Sequence, residues 1–160
     1  MIFESLKKET NSEMEKEILK KWKSENILEK TIENRKNCAN FVFYDGPIYA
    51  NAKPGIHHVF AKTIKDSVCK YRTMKGSKVL RKIGLDTHGL PIEVNVEKKL
   101  GFKSKADIEN FGIENFCKEC NKETATNIDI VKKITDQMGQ FIDMENPYIT
   151  CSNEYIESEW

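Results

Sequence analysis

Hydrophobic positions along this chain recur mostly at intervals of three and four residues, a spacing that predicts helices. Met14, Ile18, Leu19 and Trp22 stand in a stretch dense in Lys and Glu, and give an amphipathic helix within residues 1–36, expected to pack as an outer layer. Phe41-Val42-Phe43-Tyr44 is different. It is a compact aromatic and β-branched run stopped by Asp45-Gly46-Pro47, which predicts a buried strand ending in a turn. From Ile56 the helical step returns through Val59, Phe60, Ile64, Val68, Tyr71 and Met74, with Pro54 just before it and Gly76 as a left-handed cap behind it. Lys78 to Ile83 is short, partly alternating, and breaks at Gly84, so a second strand is expected there. Strand, loop, helix and strand make one βαβ unit with parallel neighbouring strands.

Further on, Ser104-Lys105-Ala106-Asp107 has the form of a capping box and opens a short helix ending near Gly112. Phe116, Cys120, Ile128, Val131, Ile134, Met138, Phe141 and Ile142 then keep a mostly helical period, which predicts a long helix reaching Asn146-Pro147. Tyr155, Ile156 and Trp160 resume helical spacing in the tail. No internal repeat or flexible linker divides the chain. The fold class is α/β, with an N-terminal helical extension at 1–36 and the α/β part at 37–160.

The 160 residues suffice for one domain with a sizeable core. Lys and Arg number 26 against 25 Asp and Glu, leaving a net charge of +1, so any contact with nucleic acid has to come from a local patch rather than from the field of the whole chain. The longest apolar run, Phe41 to Tyr44, falls far short of the roughly 20 residues that cross a bilayer. Five scattered cysteines suit a reducing compartment, and the N-terminus lacks the pattern of a secretory signal. A cytoplasmic protein without a membrane partner is expected.

Two segments carry candidate chemistry. Asp45 to His58 links a strand end to a helix start, where ligands of open α/β sheets bind and where free N–H groups and the helix dipole favour phosphate. His57 and His58 in the first helical turn can donate to phosphoryl oxygens, although two such histidines also suit a merely solvated helix start. Gly84-Leu85-Asp86-Thr87-His88-Gly89-Leu90-Pro91-Ile92-Glu93 follows the second predicted strand. A carboxylate at Asp86 can hold a substrate ammonium by a charge-assisted pair; the same residues also read as a plain polar loop. Cys117-Lys118-Glu119-Cys120 lacks a second ligand pair nearby, so no zinc and no other metal site is expected, and Cys120 is assigned to the core side of a helix.

These segments resemble class I aminoacyl-tRNA synthetases. In that family Gly-Pro-Pro, then Ala-Asn-Gly, leads into His-Ile-Gly-His. Here Gly46-Pro47, Ala50-Asn51-Ala52 and Gly55-Ile56-His57-His58 stand in those places, so that His58 falls on the second histidine while Gly55 and His57 exchange the family's histidine and glycine. The run from Gly84 to Glu93 is similar to the Gly-Trp-Asp-Thr-His-Gly-Leu-Pro-[Val/Ile]-Glu of the isoleucyl enzymes at every position but Leu85, and Asn146 to Thr150 and Tyr155 to Ser158 continue the likeness. The resemblance implies the first half of a Rossmann-like, parallel-sheet nucleotide-binding domain. It implies an ATP site at Asn51, Lys53, Gly55, His57 and His58, with the two histidines catalytic, and an amino-acid site at Gly46, Pro47, Asp86 and His88.

The implied activity is the ATP-dependent joining of isoleucine to tRNA(Ile) through an aminoacyl-adenylate, with Mg2+ accompanying the nucleotide, in an enzyme that is monomeric as a whole. Lys-Met-Ser-Lys-Ser, the family's second signature, does not occur in these residues, and tRNA would be held mainly by other parts. The segment by itself is therefore expected to be inactive. A second reading, a truncated non-catalytic paralogue serving as an interaction or regulatory module, rests on the Gly55/His57 exchange and on Leu85.

Overall fold

A computed structural model describes residues 10–49 and 54–160. The chain begins with α1 (Asn11–Ser24) and α2 (Ile27–Glu33), continues through β1 (Ile48–Tyr49), α3 (Ile56–Met74), β2 (Lys82–Asp86), α4 (Leu90–Leu100), α5 (Lys105–Phe111), α6 (Ile113–Gln137) and β3 (Asp143–Ile149), and ends in α7 (Asn153–Glu159). The three strands form one parallel sheet in the order β1-β2-β3, with Tyr49 opposite Asp86 and Leu85 opposite Ile149. The expected α/β class and parallel βαβ unit are what the structure has. Ile48, Ile83, Leu85, Val131 and Ile142 form the buried cluster, so α6 packs through Val131 and Ile128 onto the sheet.

The helical extension is two helices rather than one. Thr10 caps α1 and exchanges hydrogen bonds with Glu13, the reciprocal arrangement of a capping box. Asn26, at φ 50°, then turns the chain into α2. Trp22 fixes α1 to the domain by meeting Phe141 edge-on at 4.7 Å between centroids, with the Lys70 ammonium over both rings and Lys23 paired to Asp136 at 2.7 Å.

Three further sequence expectations are corrected. Phe41 to Tyr44 is not a strand: after a single bridge between Asn40 and Lys78 the segment runs free of the sheet, with Val42 and Tyr44 exposed. The chain joins the sheet only beyond Asp45, whose buried carboxylate is held by Lys65 and faces Lys62 on α3. The second strand lies later than predicted and runs through Gly84 instead of breaking there. The helix expected to reach Asn146 stops at Gln137, because Gly139 adopts φ 63° and ends it. The following residues form β3, an edge strand in which Pro147 is tolerated. Pro91 near its start and Gly101 at its end delimit α4, which the hydrophobic spacing had not indicated.

Helix α3 is where expected, yet its orientation is unusual. Ile56, Phe60, Ile64, Val68, Tyr71 and Met74 are exposed, while Lys62, Cys69 and Thr73 are buried. Its inner face is held by polar bonds. Arg81, itself buried, donates to the carbonyls of Cys69 and Phe141 and to the Thr73 hydroxyl, and Asp66 accepts from the Phe141 N–H at 3.0 Å. No helix among the described residues is long and apolar enough to cross a membrane.

Candidate active site

Parallel strands deliver their C-terminal ends to one edge of a sheet, and the loops there form the ligand crevice of open α/β folds. Here that edge carries Tyr49 at the end of β1, Asp86 at the end of β2 and Thr150 just after β3. Thr87 is buried and His88 exposed. The Tyr49 hydroxyl donates to the His88 carbonyl at 2.6 Å, which ties β1 to the loop after β2. Gly89, at φ 101°, lets that loop turn directly into α4.

Asp86 is half-buried, and no cation pairs with its carboxylate among the described residues; its one hydrogen bond there is a long one from the Thr150 hydroxyl, 3.4 Å. Tyr49 and Tyr155 border it. Burial and the Asp86 charge hold the Tyr49 phenol above its ordinary pKa, and Tyr155 is raised first by its bond to Glu159, so both remain uncharged at neutral pH. An unpaired, partly dry carboxylate at the mouth of a parallel sheet is suited to a ligand that brings a positive charge.

The second cluster is the start of α3. Gly55 is the N-cap, and its N–H donates to Nδ1 of His58 at 3.0 Å, the back-bond of a capping box made by an imidazole. With Nδ1 accepting, the neutral ring carries its proton on Nε2 and offers a donor. Burial, with the charges of His57 and Lys62, lowers the His58 pKa and favours that neutral form. The His57 ring lies against that of His58, tilted by 42° with centroids 3.9 Å apart. Its ring also lies over Gly55: a Cβ on Gly55 would stand 2.9 Å from Cε1 and 3.0 Å from Nδ1 of His57. The imidazole at 57 thus occupies the space beside position 55.

Gly46 and Pro47 lie exposed between Asp45 and β1. Asn51 and Lys53 lie outside the described residues. Residues that the sequence reading passed over include Thr150, Asp45 and Lys62. Lys62 stands one helical turn beyond His58 with its ammonium buried, 3.6 Å from Asp45 Oδ2, and burial lowers its pKa more than Asp45 raises it. The sequence signal for Lys62 was a lysine on the side of α3 opposite the apolar stripe; for Thr150 there was none beyond the family likeness. Cys117 is exposed and Cys120 half-buried on α6, and among the described residues no group of three His, Cys, Asp or Glu is placed to hold a metal ion.

A parallel-sheet crevice with an acid at one strand end and imidazoles at the neighbouring helix start is the ligand-site layout of an open α/β fold. The family model of class I tRNA synthetases (I, L, M and V) matches residues 17–160, and the chain belongs to that family. Over 148 residues it is 49% identical to an isoleucine–tRNA ligase of Clostridium kluyveri, covering 92% of this chain and 14% of that protein. Isoleucine–tRNA ligase 2 of Bacillus anthracis is 47% identical over 153 residues, 96% of this chain and 15% of the relative. The chain therefore spans about one seventh of the length of these relatives. The fold is also that of the LeuRS chain in a LeuRS–tRNA–LeuAMS ternary complex from Agrobacterium radiobacter K84, with a TM-score of 0.66 and 22% identity over 89% of this chain and 16% of that one.

Proposed function

We propose that this chain supplies the N-terminal part of the activation site of an isoleucine–tRNA ligase, with residues 1–36 as a helical extension and 37–160 as half of the catalytic domain. In this reading the ligase joins the isoleucine carboxylate to the α-phosphorus of ATP, releases pyrophosphate, and passes the isoleucyl group to the 3′ end of tRNA(Ile), which it contacts chiefly through other parts. The observation that carries the reading is the Asp86 carboxylate, which no cation neutralises among the described residues, at the C-terminal mouth of the sheet. Asp86 receives the isoleucine ammonium, beside His88, while Gly46 and Pro47 shape the amino-acid pocket. His58 donates from Nε2 to the nucleotide, His57 takes the place of an imidazole at position 55, and the first-turn N–H groups of α3 add to the same anion site. Gly55, Asn51 and Lys53 complete the ATP side.

The protein's contribution is positioning and charge stabilisation. Magnesium prefers carboxylate and phosphate oxygens, whereas the start of α3 offers imidazoles, so the ion would accompany the nucleotide on its phosphate oxygens rather than be held by these residues. The test is ATP–pyrophosphate exchange by the ligase that carries this segment. Asp86→Asn should raise the KM for isoleucine with little change in that for ATP, and His57→Ala should lower the exchange rate. Unchanged exchange in His57→Ala would remove the role of that ring.

The alternative, a non-catalytic module, is favoured by the Gly55/His57 exchange and by Leu85. It predicts that the protein carrying this segment binds neither isoleucine nor ATP, which calorimetric titration of each into that protein would decide.

A further inference from the structure

The hydroxyl of Thr150 stands within reach of three consecutive residues of the loop after β2. Thr150 is buried, and its Oγ1 lies 3.0 Å from the Thr87 N–H, 2.7 Å from His88 Nδ1, 3.4 Å from Asp86 Oδ1 and 3.4 Å from Thr87 Oγ1. A hydroxyl has one proton and two lone pairs. The Thr87 N–H can only donate, so it takes one lone pair. If His88 Nδ1 accepted, the single Thr150 proton would go to the ring, and the Asp86 carboxylate would face a bare oxygen. If His88 instead carries its proton on Nδ1, it donates into the second lone pair and the Thr150 proton points to Asp86. Only this second arrangement satisfies all three groups, and it turns the proton toward the negative charge. The Thr87 hydroxyl oxygen meanwhile accepts from the Cys151 N–H at 3.1 Å, which holds the β3 end against the loop.

We propose that Thr150 is a positioning residue that joins His88 to Asp86, fixing His88 in its Nδ1–H tautomer and steadying the Asp86 carboxylate. The consequence lies at the exposed edge of His88. Its Nε2 is left without a proton, so the loop offers two acceptors two residues apart in sequence, the charged Asp86 carboxylate and the neutral ring nitrogen of exposed His88. A primary ammonium has three donors and no acceptor, and fits such a pair better than a carboxylate alone. This assignment rests on the reading of Asp86 as the ammonium site.

The test is long-range 1H–15N spectroscopy of the chain with 15N-labelled histidine, above the histidine titration range, combined with isoleucine titration of the ligase that carries this segment. Wild type and Thr150→Ser should show His88 as Nδ1–H. Thr150→Val should lose that signature and bind isoleucine about tenfold more weakly, the effect of one hydrogen bond to a charged group. Asp86→Ala leaves Thr150 and its partners in place and should release the Thr150 proton to the ring, converting His88 to Nε2–H; this readout does not depend on the folding of the Val variant. An Nε2–H tautomer in wild type, or an unchanged tautomer in Asp86→Ala, overturns the proposal. Tautomers as stated, with no isoleucine response even in the ligase that carries this segment, support the Thr150 link and count against the proposed function.

Discussion

The ring of Tyr148 fills the space that a side chain on Gly84 would need. Tyr148 is on β3, opposite Gly84 on β2, and its hydroxyl reaches past the glycine to donate to the carbonyl of Asp45. One aromatic side chain thereby ties β3, β2 and the entry to β1 together. Gly84→Ala should destabilise the chain by about 1–3 kcal/mol, since the added methyl displaces the ring. Tyr148→Phe, which removes only the hydroxyl, should cost about 1 kcal/mol. Chemical denaturation of Gly84→Ala, Tyr148→Ala and the double variant checks the contact, because the alanine at 84 should cost much less once the ring is gone. Strictly additive losses would contradict it.

The two sides of α3 should respond in opposite ways to polar substitution. Phe60 and Ile64 are exposed, so Phe60→Ser and Ile64→Ser should each change the stability of the chain by no more than about 0.5 kcal/mol. Cys69 is 1% exposed, and Cys69→Asp should cost about 3 kcal/mol or more, because it takes a carboxylate out of water at a fully buried position. Equal losses on both sides, measured by urea denaturation, would mean that the helix is turned the other way.

His58 makes the start of α3 sensitive to acid. Its folded pKa lies below the ordinary value, mainly through burial, while the unfolded ring titrates near about 6.5. Between those two values the unfolded state binds more protons, so stability should fall as the pH drops from about 6.5 through the folded pKa, and should be independent of this group above that window. Thermal unfolding of wild type and His58→Asn across this range measures the difference. A smaller acid loss in wild type than in His58→Asn would refute the sign.

Trp22 rather than Lys23 should hold the helical extension in place. The Trp22 ring meets Phe141 and Lys70, whereas the Lys23–Asp136 pair is largely exposed. Trp22→Ala should therefore cost about 1–3 kcal/mol, and Lys23→Ala less than about 1 kcal/mol. Hydrogen exchange in α1 should accelerate in the first variant and stay near wild type in the second.

Much of this arrangement was legible along the chain. The spacing from Ile56 to Met74 marked α3, Ser104 with Asp107 marked the start of α5, and the Gly84-to-Glu93 run marked the loop carrying Asp86 and His88. Such features are local: caps, periods and short motifs depend on residues within a turn or two of one another. Phe41 to Tyr44 had the composition of a strand but found no continuous partner, since strand pairing is settled by residues far off in sequence, and Asp45 anchors the chain past that point. Gly139 was enough to stop α6, yet the apolar residues on either side kept a period that suits a helix and a strand end alike.

The sequence by itself determined the α/β class, most of the helices, the parallel sense of the βαβ connection, the acid and imidazoles of the candidate site, and the family likeness, but not where the strands or α4 lie. Tertiary structure alone decided which side of α3 faces inward and what surrounds Asp86. Periodicity shows which residues share a helix face, but whether that face is covered depends on neighbours the period does not name; here buried Arg81 and the Phe141 backbone bond to the polar side, buried Asp45 pairs with Lys65, and the apolar side is left outward. Likewise Thr150 meets Asp86 and His88 across separations of 64 and 62 residues, a contact created by the pairing of β2 with β3 and by nothing local to either segment.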